Sequence, residues 1–422
     1  ALRADAVSFK HCFAQSSWTK ASFATIFTGK YPETHGAYEK SAIVGGDNVT
    51  FPEVLEKHGY YTQGYCNNPN IADTYNYGQG FVQYNYLSPR YVFFANQSAE
   101  KMVLYKVVRQ VWSKIAGKIS RGKINVKDFY QPAEVVTQSA VEWLDGARPK
   151  DAPFFLFLHY MDPHDPYMDH TTNGVGYARV RLGTAMDPAE WKEKLQRAYI
   201  GEIEYLDRYI GTLIEGLKQR GLYDDSLIVF TSDHGEEFHE HGGWWHGLSL
   251  YDEQIGIPLM FKLPQNQQAG IECNYLARHV DLGPTVLQFA GADPQEAADA
   301  KMQGEPLFTK DLAAGPQDVS GGYIYSHLDF ESIRLRAVRT PLFKMIQSNE
   351  NKRKYAPVEL YDLAADPGET KNLAGTGNSE EAVLGGMVES MRKYAADNAQ
   401  KPEYAVDAET KAKMDALGYG GQ

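Results

Sequence analysis

The amino-acid sequence predicts an α/β protein: a mostly parallel sheet covered by helices, with a small antiparallel α+β subdomain at its C-terminal end. Three observations carry that expectation. From residue 10 to about residue 310, short apolar runs of β type alternate with amphipathic stretches. Two of the runs, PFFLFLHY (Pro153 to Tyr160) and SLIVFTSDHGE (Ser226 to Glu236), are continuously apolar until they break into polar sequence bearing His and Asp. In an open α/β sheet ligands bind beyond the carboxyl ends of the strands, so these two polar tails should converge. From about Gly321 the texture changes to YIYSHL, RLRAVRT, LFKMIQS and VELYDL, then a loop with Gly and Asn and a helix near Ala382 to Asn398.

At 422 residues the chain can bury a large core. We expect residues 1–320 to form the main domain and 321–422 the subdomain. The formal charge of −12 and pI of about 5.5 argue against wholesale nucleic-acid binding. No apolar run reaches the roughly 18 residues of a bilayer span. Cys12, Cys66 and Cys273 are too scattered for a disulfide framework or a zinc knuckle and are expected as buried small hydrophobes. The opening ALRADAVSFKHCFAQ has no Met and no signal-peptide pattern.

Element by element, SSWTKASFATIFTG (Ser16 to Gly29) reads as a loop entering a helix through Ala21 to Phe27. With Thr19 at its start, the hydroxyl and the free backbone N–H groups would share one anion pocket. The plainer alternative makes Thr19, or its rival Ser22, an ordinary helix cap. Lys101 to Lys127 holds eight Lys or Arg residues and no acid, with Leu104, Val108, Val111, Ile115 and Ile119 at helical spacing. Such a helix can contact a membrane surface or line the entrance for an anion; the alternative is a surface helix with snorkelling lysines. In HYMDPHDPY (His159 to Tyr167), Pro163 and Pro166 stiffen a turn that fixes His164 between two Asp residues. Pro188 to Arg220 reads as a long helix with Ile200, Ile203, Leu206, Ile210 and Leu213 on one face.

The richest stretch is TSDHGEEFHEHGGWWHG (Thr231 to Gly247). Asp233 and His234 stand where a buried strand stops, and carboxylate plus imidazole is a ligand mix of hydrolytic metal sites. His246 can return to the same space. His239 and His241, flanked by Glu236, Glu237 and Glu240, are further candidate ligands, but a solvated loop is the preferred expectation for them. A metal at Thr19 would supply the activation that a hydroxyl lacks near neutral pH.

WTKASFATIFTGKYPETHG resembles the nucleophile segment of the sulfatase family in the alkaline phosphatase superfamily, and counting back from Gly29 puts Thr19 at the nucleophile position. The likeness continues in GYYTQGYCNNPNI, HYMDPHDPY, TSDHGEEFHEHGGWWHGLSLYDEQIGIPLMF, HVDLGPTVLQFAGA, AVRTPLFKMIQ, ELYDLAADPGETKNLA and the ending ALGYGG. The resemblance implies an alkaline-phosphatase-like fold, with Asp233, His234 and Thr19 at a divalent metal (zinc, manganese or calcium). It implies that His164 and His246 hold the transferred group's oxygens or a second metal, or protonate the leaving group, and that Asn68 helps bind substrate. The implied substrate is a small-molecule, lipid or glycan ester, and the implied location is periplasmic or extracytoplasmic.

Two departures shape the expected chemistry. Sulfatases carry Cys or Ser in a signature converted to formylglycine, whose hydrate expels sulfate by collapsing to the aldehyde; here the position is Thr19, and Phe23 replaces the signature Arg. A threonine ester has no such exit. Thr resembles instead the phosphotransferases and phosphodiesterases of the superfamily, which pass through a phospho-threonine. The family also begins with a strand and an Asp-rich metal motif that this sequence lacks, so a fragment or a crippled site is expected. Sulfatase activity without formylglycine and an inactive fragment are the competing expectations.

Overall fold

The computed structural model describes residues 2–89, 130–169, 175–177, 187–349 and 355–404. The basic segment 101–127 and the terminal ALGYGG fall outside the described residues. The main strands are β1 (Val7–Phe13), β2 (Tyr61–Cys66), β3 (Gln83–Tyr86), β4 (Phe154–Leu158), β5 (Ile228–Thr231), β6 (Gly256–Lys262) and β7 (Glu272–Arg278). The helices that flank them are α1 (Thr19–Thr28), α2 (Phe51–Lys57), α3 (Ala133–Asp145), α4 (Pro188–Gln219) and α5 (Leu282–Phe289).

Local chemistry sets the helix ends. α2 opens on a capping box, with Thr50 accepting from the Glu53 N–H while the Glu53 carboxylate takes the Thr50 N–H, and with Pro52 in the first turn. α1 stops at Gly29, which lies at φ 62° and whose N–H bonds the Thr25 carbonyl. α4 ends at Gln219 with Arg220 as its cap, close to the expected bound.

Among the described residues these strands pair in two sets. β3, β2 and β4 are all parallel. The other sheet runs in the order β7, β1, β6, β5 and is mixed: β7 is parallel to β1, whereas β6 is antiparallel to both β1 and β5. The reversal has a local cause. No crossover helix carries the chain back to the start of the sheet after β5; it loops at the polar end and enters β6 from there.

Between the two sheets lies a cavity of about 910 Å³, lined by every residue of β4 and β5. Among the described residues β4 pairs only with β2, and β5 only with β6. Ile203, Leu206, Ile210 and Leu213 of α4 also line it, as do Phe23, Ile26 and Phe27 of α1. The expected apolar face of α4 therefore borders open space, and Ile200 and Ile203 keep 54% and 43% of their surface. The three cysteines are buried and unpaired.

The C-terminal part is an antiparallel sheet of β8 (Ile324–Phe330), β9 (Ile333–Arg339), β10 (Phe343–Ser348) and β11 (Val358–Asp362), covered by α6 (Glu380–Asn398). It packs on the loop that leads into α1. Ser326 Oγ donates to the Ala14 carbonyl at 2.8 Å, the His327 N–H donates to the Gln15 carbonyl at 2.8 Å, and Phe330 stacks on Trp18 at 4.2 Å between ring centroids. The start of α1 is thus held between both sheet systems.

Candidate active site

Thr19 is the first residue of α1, and the cap position belongs to Trp18, which makes no side-chain cap bond. The Thr19 hydroxyl is therefore not used as a cap, and Oγ1 lies 3.2 Å from His234 Nε2. One turn further on, Ser22 Oγ donates to the Asp233 carbonyl at 2.6 Å and fastens α1 to the carboxyl end of β5. The neighbouring Lys20 points away, its ammonium on the Lys40 and Ala42 carbonyls and over the Tyr75 ring.

Asp233 and His234 follow β5 directly, with Asp233 Oδ2 3.3 Å from His234 Nε2. Only glycine fits next, because a Cβ at Gly235 would stand 2.2 Å from the Glu253 carbonyl oxygen. His234 Nδ1 is 2.9 Å from the Gly235 carbonyl, which can only accept, so Nδ1 carries the proton. Nε2 faces both the Thr19 hydroxyl and the Asp233 carboxylate. Burial pushes the Asp233 carboxyl up, but the imidazoles of His234, His159, His246 and His164 outweigh it and leave it below the ordinary value.

Two further imidazoles close in. The His246 ring lies 4.1 Å from that of His234 and 4.9 Å from that of His164. His164 Nδ1 donates to the Asp165 carbonyl at 2.7 Å, with the Asp165 carboxylate 3.4 Å away. Burial disfavours its imidazolium, yet Asp165, Glu236 and Asp233 together raise it above the usual histidine value. His246 behaves oppositely: burial, then His234 and His164, hold it well below.

The structure thus brings Thr19, His164, Asp233, His234 and His246 together. Asn68 lines the same cavity, but its Oδ1 accepts the Asn70 N–H at 2.9 Å and its Nδ2 lies 3.5 Å from Met161 Sδ. Its amide serves the local turn.

The solvated-loop expectation for the acidic and His residues after His234 is corrected. Glu237–Phe238 and Trp244–Trp245 pair as a buried hairpin. Glu237 accepts from the Gly243 N–H at 2.6 Å and the Gln254 side chain at 2.7 Å, and His241 Nδ1 meets Glu253 at 2.7 Å. Each charge has a partner, so burial is affordable. Exposure is greatest at the tip, at Glu240 and Gly242, with His239, at φ 68°, and His241 partly exposed.

Sequence reasoning also missed two contributors. His159 is buried beside Phe23 with its Nδ1 unpartnered among the described residues, and burial pushes it down to about 4. Glu236 accepts from His246 Nδ1 at 3.0 Å and from the Tyr167 hydroxyl at 2.6 Å. The available signal was spacing: Glu236 stands two positions beyond His234.

A mixed α/β sheet whose strand ends gather a hydroxyl, a carboxylate and four imidazoles defines an ester hydrolase of the alkaline phosphatase superfamily. The chain belongs to the sulfatase family: the Sulfatase model matches residues 1–292, and that of the N-sulphoglucosamine sulphohydrolase C-terminal region matches residues 239–397. It is 23% identical to the N-acetylglucosamine-6-O-sulfatase of Bacteroides thetaiotaomicron, over 93% of this chain and 81% of that protein. It is 28% identical to the multifunctional alkaline phosphatase superfamily protein PehA of Trinickia caryophylli, over 57% of this chain and 54% of that one. Its fold is similar to a structure solved with its substrate D-glucosamine-2-N,6-O-disulfate, with a TM-score of 0.70, 20% identity and coverage of 94% and 92%. The phosphonate monoester hydrolase of Agrobacterium radiobacter is similar too, with a TM-score of 0.68, 20% identity and coverage of 94% and 90%.

Members of this family usually use a divalent metal. Asp233 and His234 are suitable donors, with the Thr19 hydroxyl beside them. Among the described residues, however, no group of three or more His, Cys, Asp or Glu side chains is arranged to hold an ion. A catalytic zinc takes about three protein ligands and calcium about six oxygens or more, so this donor set does not fit a complete metal site.

Proposed function

We propose that the chain hydrolyses or transfers a phosphate ester through Thr19, with sulfate esters as the poorer substrates. The observation that carries the reading is the 3.2 Å contact between Thr19 Oγ1 and His234 Nε2. Nucleophile and base are within hydrogen-bond reach, and the Gly235 carbonyl orients the base. As Thr19 Oγ1 attacks phosphorus, its proton passes to His234 Nε2. The bond from phosphorus to the departing alcohol breaks, and the His164 imidazolium gives that alcohol its proton. Water then attacks the phospho-threonine, its proton going back to His164, while Thr19 leaves with the proton held on His234. His246 starts neutral; as a dianionic ester binds beside it, Nε2 takes one proton from solvent, and the imidazolium bonds an equatorial oxygen. Phosphorus is preferred because Thr19 lacks the aldehyde exit that expels sulfate from formylglycine. The substrate class is a small-molecule, lipid or glycan ester; the sugar-sulfate names of the relatives favour a glycan.

A second reading, an inactive fragment, is favoured by the two-donor set at Asp233 and His234 and by the open cavity between β4 and β5. One comparison separates the readings. Aryl phosphates and aryl sulfates are offered in parallel to the wild type and to Thr19→Ala, and acid-quenched wild type is searched by mass spectrometry for phospho-threonine at residue 19. Turnover of phosphates that is lost in Thr19→Ala, with the adduct present, supports the first reading. Full activity in Thr19→Ala sinks it. No turnover of either series, with weak zinc and manganese uptake by calorimetry, supports the second.

A further inference from the structure

Glu236 is a buried carboxylate, 9% exposed, on which both oxygens are used. Oε1 is 3.0 Å from His246 Nδ1, and Oε2 accepts the hydroxyl of the fully buried Tyr167 at 2.6 Å. Tyr167 is wedged among Tyr199, Phe238 and Trp245, at ring distances of 5.7, 5.9 and 5.8 Å, so the clamp has a rigid base. A carboxylate only accepts, so the proton on the His246 ring sits on Nδ1. Nε2 alone then remains for the group being transferred. The two imidazoles that flank it are fixed in another way: His164 and His234 each donate Nδ1–H to a main-chain carbonyl, at Asp165 and Gly235. His246 is the one in this set whose tautomer depends on a side chain.

We infer that Glu236 is a positioning residue: clamped by Tyr167, it fixes His246 as the Nδ1–H tautomer and presents Nε2 to the transferred group. Partners of this kind hold an imidazole in one tautomer and one ring orientation, and removing them typically costs about 10–100-fold. The inference rests on the reading of His246 as a contact to that group, and the test keeps the two apart.

The whole chain is labelled with nitrogen-15 histidine, and the His246 ring signals are identified by their loss in His246→Gln. Two-bond proton–nitrogen spectra then report which ring nitrogen carries hydrogen. Wild type should show His246 with Nδ1 protonated and Nε2 bare, Glu236→Gln should keep that pattern because its amide oxygen still accepts, and Glu236→Ala should lose it. Against an aryl phosphate, Glu236→Ala should lower kcat about 10–100-fold with little change in KM, and Glu236→Gln should recover most of it. Wild-type His246 protonated on Nε2, or Glu236→Ala with an unchanged tautomer, overturns the inference. If Glu236→Ala does not fold, the wild-type spectrum and Glu236→Gln still decide. Absence of turnover in every variant counts against the proposed function and leaves the tautomer result standing.

Discussion

Thr19 and Ser22 lie one helical turn apart and have different tasks: Thr19 Oγ1 faces His234, and Ser22 Oγ ties the helix to the Asp233 carbonyl. A local reading of the sequence cannot separate them, since either hydroxyl suits a helix start; the count back from Gly29 chose Thr19, and the structure puts Trp18 at the cap. The same scale bears on His246. Its ring stacks against His234 and its Nδ1 is taken by Glu236, so its Nε2 is the contact available to an ester oxygen. Replacing His246 by Gln should lower kcat/KM toward an aryl phosphate by about 10²–10³-fold, the usual loss for one oxyanion partner. The melting temperature should move little, because Gln can still reach Glu236. Circular dichroism alongside the kinetics checks both halves, and a variant with full activity would remove His246 from the site. Asp233, His234 and His164 were legible because each follows an apolar run that could only be a strand. Glu236 was not: an acid in an acid-rich stretch reads as solvated until its partners, Tyr167 and His246, are seen in space.

At the scale of the element, the hairpin joining Glu237–Phe238 to Trp244–Trp245 was the largest misreading. EEFHEHGGWW has the polarity of a loop, and its partners Glu253, Gln254 and Glu369 lie well beyond it in the chain. What holds it is testable through His241, whose Nδ1 meets Glu253 at 2.7 Å, whose Nε2 meets the Glu369 carbonyl at 3.0 Å and whose ring stacks on Tyr251. Burial opposes its charge, but the bond to Glu253 and the nearby Glu369 win and raise it to about 9. A folded-state value above the unfolded 6.5 means that this stability is fully present below pH 6.5 and is lost as pH rises through about 9. The full shift corresponds to roughly 3 kcal/mol; screening at this partly exposed position reduces it to about 1–2 kcal/mol. Urea midpoints should therefore fall between pH 6.5 and 9.5 in the wild type and fall distinctly less in His241→Gln. Equal slopes in the two proteins would mean that the pair carries no linkage. Long periodic elements needed no such partners to be read, which is why α4 was legible to within a residue and this hairpin was not.

For the whole molecule, pattern reasoning recovered an α/β sheet with a C-terminal antiparallel sheet because both depend on local periodicity. It did not give the strand order, which is set by which edges meet and is encoded by no local pattern. The consequence is energetic. β1 has neighbours on both sides, β7 and β6, whereas β4 and β5 are each paired on one side among the described residues and border the cavity of about 910 Å³. Both carry the active-site tails, so the histidines and Asp233 follow two end strands that border the cavity. Strands with one open edge and apolar side chains facing open space should open locally at lower cost than a doubly paired one. In native-state hydrogen exchange we expect amides of Phe154–Leu158 and Ile228–Thr231 to be at least about tenfold less protected than those of Val7–Phe13, a gap of about 1.4 kcal/mol in opening free energy. Mass spectrometry of pepsin fragments from the three strands measures it. Equal protection across all three would mean that something supports the inner edges of β4 and β5, and the case for an incomplete site would then lose its structural footing.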